Sequence, residues 1–191
     1  MNVKQVIEKR RAYRSLDPKM LSKEEVKLLE KAIQIAPSCF NNQPWQYVFV
    51  TDEKKREEMK SVLSDGNKWA HHASMYIAVC ARKEDDCVIY DREYYLFDTG
   101  IATGFLLLQA TDLGFVAHPI AGYSPKKTRK VLSIPDDMQV IALVIIGKKR
   151  EKIRKDLSEK QTKAEQKRPK RKPIEELIHY NTYPVEVKKI K

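Results

Sequence analysis

The sequence predicts an α+β fold in which three or four strands surround one dominant helix. Three observations lead there. Residues 73–81 and 140–146 are short, nearly uninterrupted apolar runs, as expected for strands at the middle of a sheet. Residues 91–113 carry Leu96, Ile101, Ala102, Phe105, Leu106, Leu107, Leu108 and Ala110 with few charges after Asp98, so this helix is expected to be buried on nearly every side. Ser22 and Glu25 form a capping box ahead of an amphipathic run that Pro37 ends.

The remaining elements follow in chain order. Val3, Val6 and Ile7 have helical spacing, and Ser15–Met20, with Pro18, reads as loop. The β-branched and aromatic run Trp45–Thr51 reads as a strand, and Asp52–Leu63 as a charged surface helix. Gly114 ends the long helix and His118 lies in the short strand after it. Residues 125–132 read as a small basic helix, 173–177 as a helical turn and 180–191 as extended chain. Gly100 and Gly104 stand at GxxxG spacing on the long helix, which favours close packing, a second copy of the chain included.

At 191 residues the chain suits one domain with a sizeable core. No run approaches the roughly 20 apolar residues that a membrane span requires. The N-terminal residues lack an apolar signal core, so a cytoplasmic location is expected. The net charge of +11 is unevenly spread. Residues 148–191 hold 16 Lys/Arg against 7 Asp/Glu, leaving the body almost neutral. A basic tail can neutralise phosphates. This one has few interleaved aromatics, so nucleic acid is not the expected partner, and 148–172 is expected to be a flexible connector. Three cysteines, an odd number without a CxxC, argue against a disulfide framework and against a zinc site. No metal is expected.

Chemistry is concentrated in two places. Arg10, Arg11 and Arg14 lie within five positions, and together they can hold a doubly charged phosphate. The stretch Pro37-Ser38-Cys39-Phe40-Asn41-Asn42-Gln43-Pro44-Trp45 is uncharged, stiffened by proline and rich in carboxamides. It suits directional hydrogen bonding to a flat, polar-edged molecule. There is no GxGxxG, so a separate dinucleotide-binding fold is not expected.

With these two motifs, the long helix, Pro119-Ile120-Ala121-Gly122-Tyr123 and Arg171-Lys172-Pro173 in this order, the chain resembles the FMN-dependent nitroreductase family. The resemblance implies a single nitroreductase-like domain over 1–191. It would be a sandwich with a central, mainly antiparallel sheet flanked by helices, a long buried helix at a homodimer interface, and a C-terminal arm over 178–191. It implies FMN as cofactor, NAD(P)H as reductant, and small flat acceptors such as nitroaromatics or quinones, in a ping-pong cycle.

Arg10 and Arg11 would hold the FMN phosphate with Lys170 and Arg171, in a segment where Ala12 replaces a serine common among relatives. Arg14 would face the flavin N1–C2 edge, and Asn67 the pyrimidine edge. Pro37, Ser38 and Cys39 would pack on the flavin of the other subunit, and Asn41 and Gln43 would anchor ribityl or ring atoms. Gly122 and its neighbours Ile120 and Ala121 would present backbone N–H to N5, with Pro119 beside them at the cofactor; some relatives carry Glu where this chain has Ala121. No side chain is expected to act as catalytic acid, base or nucleophile, because the hydride chemistry belongs to the flavin.

Overall fold

The structure, a computed structural model, describes residues 1–184. The described residues form α1 (Val3–Lys9), β1 (Leu16–Asp17), α2 (Lys23–Gln34), β2 (Trp45–Val50), α3 (Glu53–Lys60), β3 (Met75–Ala81), β4 (Val88–Ile89), β5 (Arg92–Glu93), α4 (Tyr95–Asp112), β6 (Val116–Ile120), α5 (Pro125–Leu132), β7 (Gln139–Lys149) and α6 (Glu159–Gln166). Of the C-terminal arm, residues 185–191 lie outside the described residues.

Every pairing in the main sheet is antiparallel. β7 is the hub: it pairs with β3 and β6, and its far end pairs with β1. β2 closes the sheet beyond β3. β3 is buried along its whole length, as its composition predicts. Its alternate residues serve two cores. Tyr76, Ala78 and Cys80 face one layer with Met59, Val62, Trp69, Ile134 and Leu143. Met75, Ile77 and Val79 face the other with Leu29, Ile33, Ala102, Leu106 and Val144. A register shift opposite Val79 and Cys80 skips Ile141, which puts Val140 on the same face as Leu143. The result is a three-layer sandwich, with α2 and α4 on one side of the sheet and α3 and α5 on the other.

Helix starts were readable because caps are local. The Ser22 box is present, with the side chain accepting from Glu25 N and Glu25 reaching back to Ser22 N. Asn2 with Gln5 and Ser158 with Gln161 form two more. The last opens α6 inside the segment expected as a featureless connector, and Glu165 of that helix is buried.

Three further expectations are corrected. The sheet has a fifth strand, β1, in the segment expected as loop; two residues are too few to show a period. The long helix begins at Tyr95, not Asp91, because the β4–β5 hairpin occupies the preceding residues. It is also not buried all round. Ala102, Leu106 and Ala110 enter the core, whereas Leu96, Phe97 and Phe105 are exposed. A Cβ added at Gly100 or Gly104 meets nothing within 4 Å, so both glycines lie on an open face.

Candidate functional site

The basic segment after α1 is fastened by the far end of the chain. Arg11 donates from Nη2 to the carbonyls of Ala164 (2.7 Å) and Glu165 (3.1 Å), near the C-terminus of α6, where carbonyls lack helical partners. The Glu165 carboxylate accepts from Arg14 N (2.6 Å) and Ser15 N (3.3 Å). Arg168 donates to the Arg10 carbonyl at 3.0 Å and also to that of Glu8. The bonds from Arg11 give this residue a fastening role that the sequence did not reveal.

Arg10 is left in a cationic group. Its guanidinium pKa is lowered by burial and then by Arg168 and Arg171. Among the described residues, none of these three arginines has a carboxylate partner in an ion pair. Like charges drawn together without a counter-charge favour an anion nearby. Arg168 was not among the residues singled out from sequence; an arginine inside a lysine-rich run was the available signal. Lys170 and Arg171 are exposed beside it, and Ala12 is half-buried.

A second group continues from Arg14. Its guanidinium lies 5.9 Å from the centre of the Trp69 ring, and burial lowers its pKa while Glu165 raises it. Trp69 Nε1 donates to Asn67 Oδ1 at 3.0 Å, and Asn67 Nδ2 donates to the Gly122 carbonyl at 2.9 Å. The same carbonyl accepts from Ser64 N (3.0 Å) and Ser64 Oγ (2.8 Å). A Cβ at position 122 would lie 2.4 Å from Asn67 Nδ2 and 2.6 Å from Ser64 Oγ, so a larger residue must push both side chains away from the turn. Pro119 and Ala121 are exposed around this turn and Ile120 is buried.

His118 stacks on Trp69 at 4.7 Å, and its Nδ1 lies 3.1 Å from the Tyr13 carbonyl. Burial, the largest cause, pushes its pKa down to about 4, and Arg14 and Arg10 push the same way. The imidazole is therefore neutral at pH 7. Sequence reading singled out neither His118 nor Trp69.

The proline-stiffened loop is hydrogen-bonded to neither group: its residues have no hydrogen bond to Arg10, Arg14, Asn67 or Gly122 among the described residues. Instead, Cys39 N donates to Asp98 on α4 at 2.6 Å. Pro37, Ser38 and Cys39 line a cleft of about 350 Å³ with Tyr94, Phe97 and Ile101. Gln43 N donates to Ser38 Oγ at 2.9 Å, and Gln43 Nε2 donates to the Asn41 carbonyl. Phe40, Asn41 and Gln43 all have positive φ (47°, 59° and 51°), which is costly without glycine.

A disulfide joins Cys39 to Cys87 across 48 residues, contrary to the expectation from cysteine counting. The reason is tertiary. The β4–β5 hairpin carries Cys87 to the loop, and no spacing rule anticipates that. The odd cysteine is Cys80, buried in β3.

The model of the nitroreductase family matches residues 7–68 and 65–148. The chain belongs to the nitroreductase family. It is 23% identical over 211 residues to a Bacillus subtilis protein provisionally named NAD(P)H nitroreductase MhqN, covering 92% of this chain and 96% of that one. It is 30% identical to an Archaeoglobus fulgidus protein provisionally named NADH dehydrogenase/NAD(P)H nitroreductase, covering 72% and 80%. Among solved structures, an oxidoreductase described as containing FMN superposes with a TM-score of 0.82 at 28% identity, over 96% of this chain and 94% of that one. A nitroreductase family protein from Clostridium novyi NT gives 0.72 at 26% identity, over 79% and 87%. No helix among the described residues is long and apolar enough to cross a membrane.

Proposed function

We propose that the chain is an FMN-dependent oxidoreductase that takes hydride from NAD(P)H and passes it to small flat acceptors such as nitroaromatics or quinones, working as a homodimer. The observation that carries the reading is the grouping of Arg10, Arg168 and Arg171 without a carboxylate counter-charge. It fits a terminal phosphate dianion, and the Arg14–Trp69–Asn67–Gly122 line extends from it.

The donor set agrees with the chemistry of FMN. The arginine group would neutralise the phosphate. Arg14 would hold a fixed cation at the N1–C2 edge, where negative charge grows on reduction, and so raise the reduction potential. Asn67 and Ser64 hold the Gly122 carbonyl with three hydrogen bonds, which fixes the direction of the amides in that turn. Bound there, FMN would supply the two-electron hydride chemistry. No side chain is needed as acid or base for that step.

The homodimer is supported by the open face of α4 with Gly100, Gly104, Phe97 and Phe105, and by the hydrogen bonds of the Pro37–Gln43 loop, which among the described residues run to Asp98 and Asp86 and not to the arginine group. In this reading the loop, with Pro37, Ser38, Cys39, Asn41 and Gln43, serves the flavin held by the other subunit. A visible spectrum of the purified protein tests the reading. Flavin absorbance that bleaches with NAD(P)H and returns with a nitroarene or quinone is expected. Protein that takes up no FMN after reconstitution would overturn it.

A further inference from the structure

The surroundings of the Cys39–Cys87 bond hold more than a staple needs. An Asp86 carboxylate oxygen and the two sulfur positions all lie within 4.8 Å of one another. Asp86 Oδ1 accepts from Cys87 N (2.8 Å) and Asn42 Nδ2 (3.2 Å), which ties it to both sides of the bond. Its other oxygen is buried without a hydrogen-bond donor. The neighbour that explains this orphan is Asp98, which accepts from Cys39 N and meets the Asp86 side chain. Two carboxylates held together cannot both ionise at low cost, which favours a proton on Asp98. Burial, with Asp86 adding to it, raises the Asp98 pKa accordingly.

The bond also clamps a turn that is poor in its own right. Phe40, Asn41 and Gln43 occupy the left-handed region directly after Cys39, which disfavours the turn, least at Asn41. Cys39 and Cys87 are themselves only half-buried, and Val88 and Tyr90 beside Cys87 are exposed.

We propose that Cys39–Cys87 is a thiol–disulfide exchange centre, reduced by an external dithiol, with the Asp86–Asp98 carboxyl pair supplying the proton to the departing sulfur. A thiolate of the dithiol attacks Sγ of Cys87. The Cys39–Cys87 bond breaks, a mixed disulfide forms, and Cys39 leaves as a thiol on taking the carboxyl proton. The second sulfur of the dithiol gives its proton back to the carboxyl pair and attacks the mixed disulfide as thiolate, closing an oxidised ring, and Cys87 leaves and takes from water the proton that the first sulfur released there. Two electrons and two protons pass to the protein. Reduction frees the Cys39–Gln43 turn to relax toward negative φ.

The test uses the full-length protein without denaturant and without reference to flavin. Dithiothreitol is added, thiols are trapped with a maleimide, and labelled peptides are counted by mass. Labelling of Cys39 and Cys87 within minutes is expected, with Cys80 unlabelled. Faster amide exchange at residues 40–43 is expected in the reduced protein. Asp86→Asn keeps an acceptor for Cys87 N–H but loses the shared proton, and it should slow reduction at least about tenfold, as a missing general acid does. Asp98→Asn should do the same and decides the matter alone if the first variant does not fold. Thiols that appear only in denaturant would leave a structural staple only. That outcome overturns the proposal, as would wild-type reduction rates in the folded variants or unchanged exchange at 40–43.

Discussion

The Glu165 carboxylate accepts the backbone N–H of Arg14 at 2.6 Å, joining positions 151 residues apart. It accepts Ser15 N at 3.3 Å with its other oxygen, and it is buried. One side chain from the lysine-rich region therefore sets the path of the segment that aims Arg14. Glu165→Ala leaves two amides short of an acceptor, and a loss of about 1–3 kcal/mol in unfolding free energy is expected. Urea denaturation measures it. Glu165→Gln, which keeps one acceptor, should lose less.

Arg11 and Arg168 should behave differently on substitution. Arg168→Ala removes a member of the group around Arg10 together with its bonds to the Glu8 and Arg10 carbonyls, so FMN affinity should fall about 10- to 100-fold with a weaker salt dependence and some stability should be lost as well. Arg11→Met breaks the bonds to Ala164 and Glu165, and it should cost about 1–3 kcal/mol of stability. Flavin titration and urea denaturation on both variants separate the two effects. Equal loss of affinity would contradict the fastening role given to Arg11.

Gly122→Ala should damage the turn. The new methyl must displace Asn67 Nδ2 and Ser64 Oγ, so the bonds to the Gly122 carbonyl are lost or lengthened. Overpacking of this kind costs roughly 1–3 kcal/mol. The Trp69 fluorescence spectrum reports locally, because its Nε1 bonds to the same Asn67.

His118 should give the protein an acid-sensitive limb. Folded His118 takes a proton near pH 4, against an ordinary value of 6.5. Between those values the unfolded chain binds more protons, so its contribution is complete above about pH 6.5 and is lost as pH falls through about 4. The shift corresponds to roughly 2–4 kcal/mol. Unfolding free energies at several pH values check this, and His118→Gln should flatten the slope over that window.

What could be read ahead was what is local or periodic. The strands β3 and β7 are continuous apolar runs, and Ser22 with Glu25 announces α2 within four residues. The arginines near the N-terminus were visible as a cluster, but their destinations were not. Arg11 turns to α6 and Arg10 meets Arg168, and both contacts span more than 150 residues. The helix α6 carried its own signal, the Ser158–Gln161 capping box, hidden in a run whose charge suggested a connector. The disulfide had none, because Cys87 reaches Cys39 only through the path of a hairpin too short to show alternation.

The hub position of β7 governs when, during synthesis, this protein can exist. Strands β1, β3 and β6 all wait for residues 139–149 before they find their edges, and the buried acceptor for Arg14 comes later still. A chain emerging from the ribosome therefore holds apolar β3 without its central neighbour for about 60 residues of elongation, several seconds at ordinary rates. That interval, rather than the finished molecule, is where aggregation competes hardest. Substitutions that favour early pairing of β2 with β3 should raise soluble yield without changing the native fold.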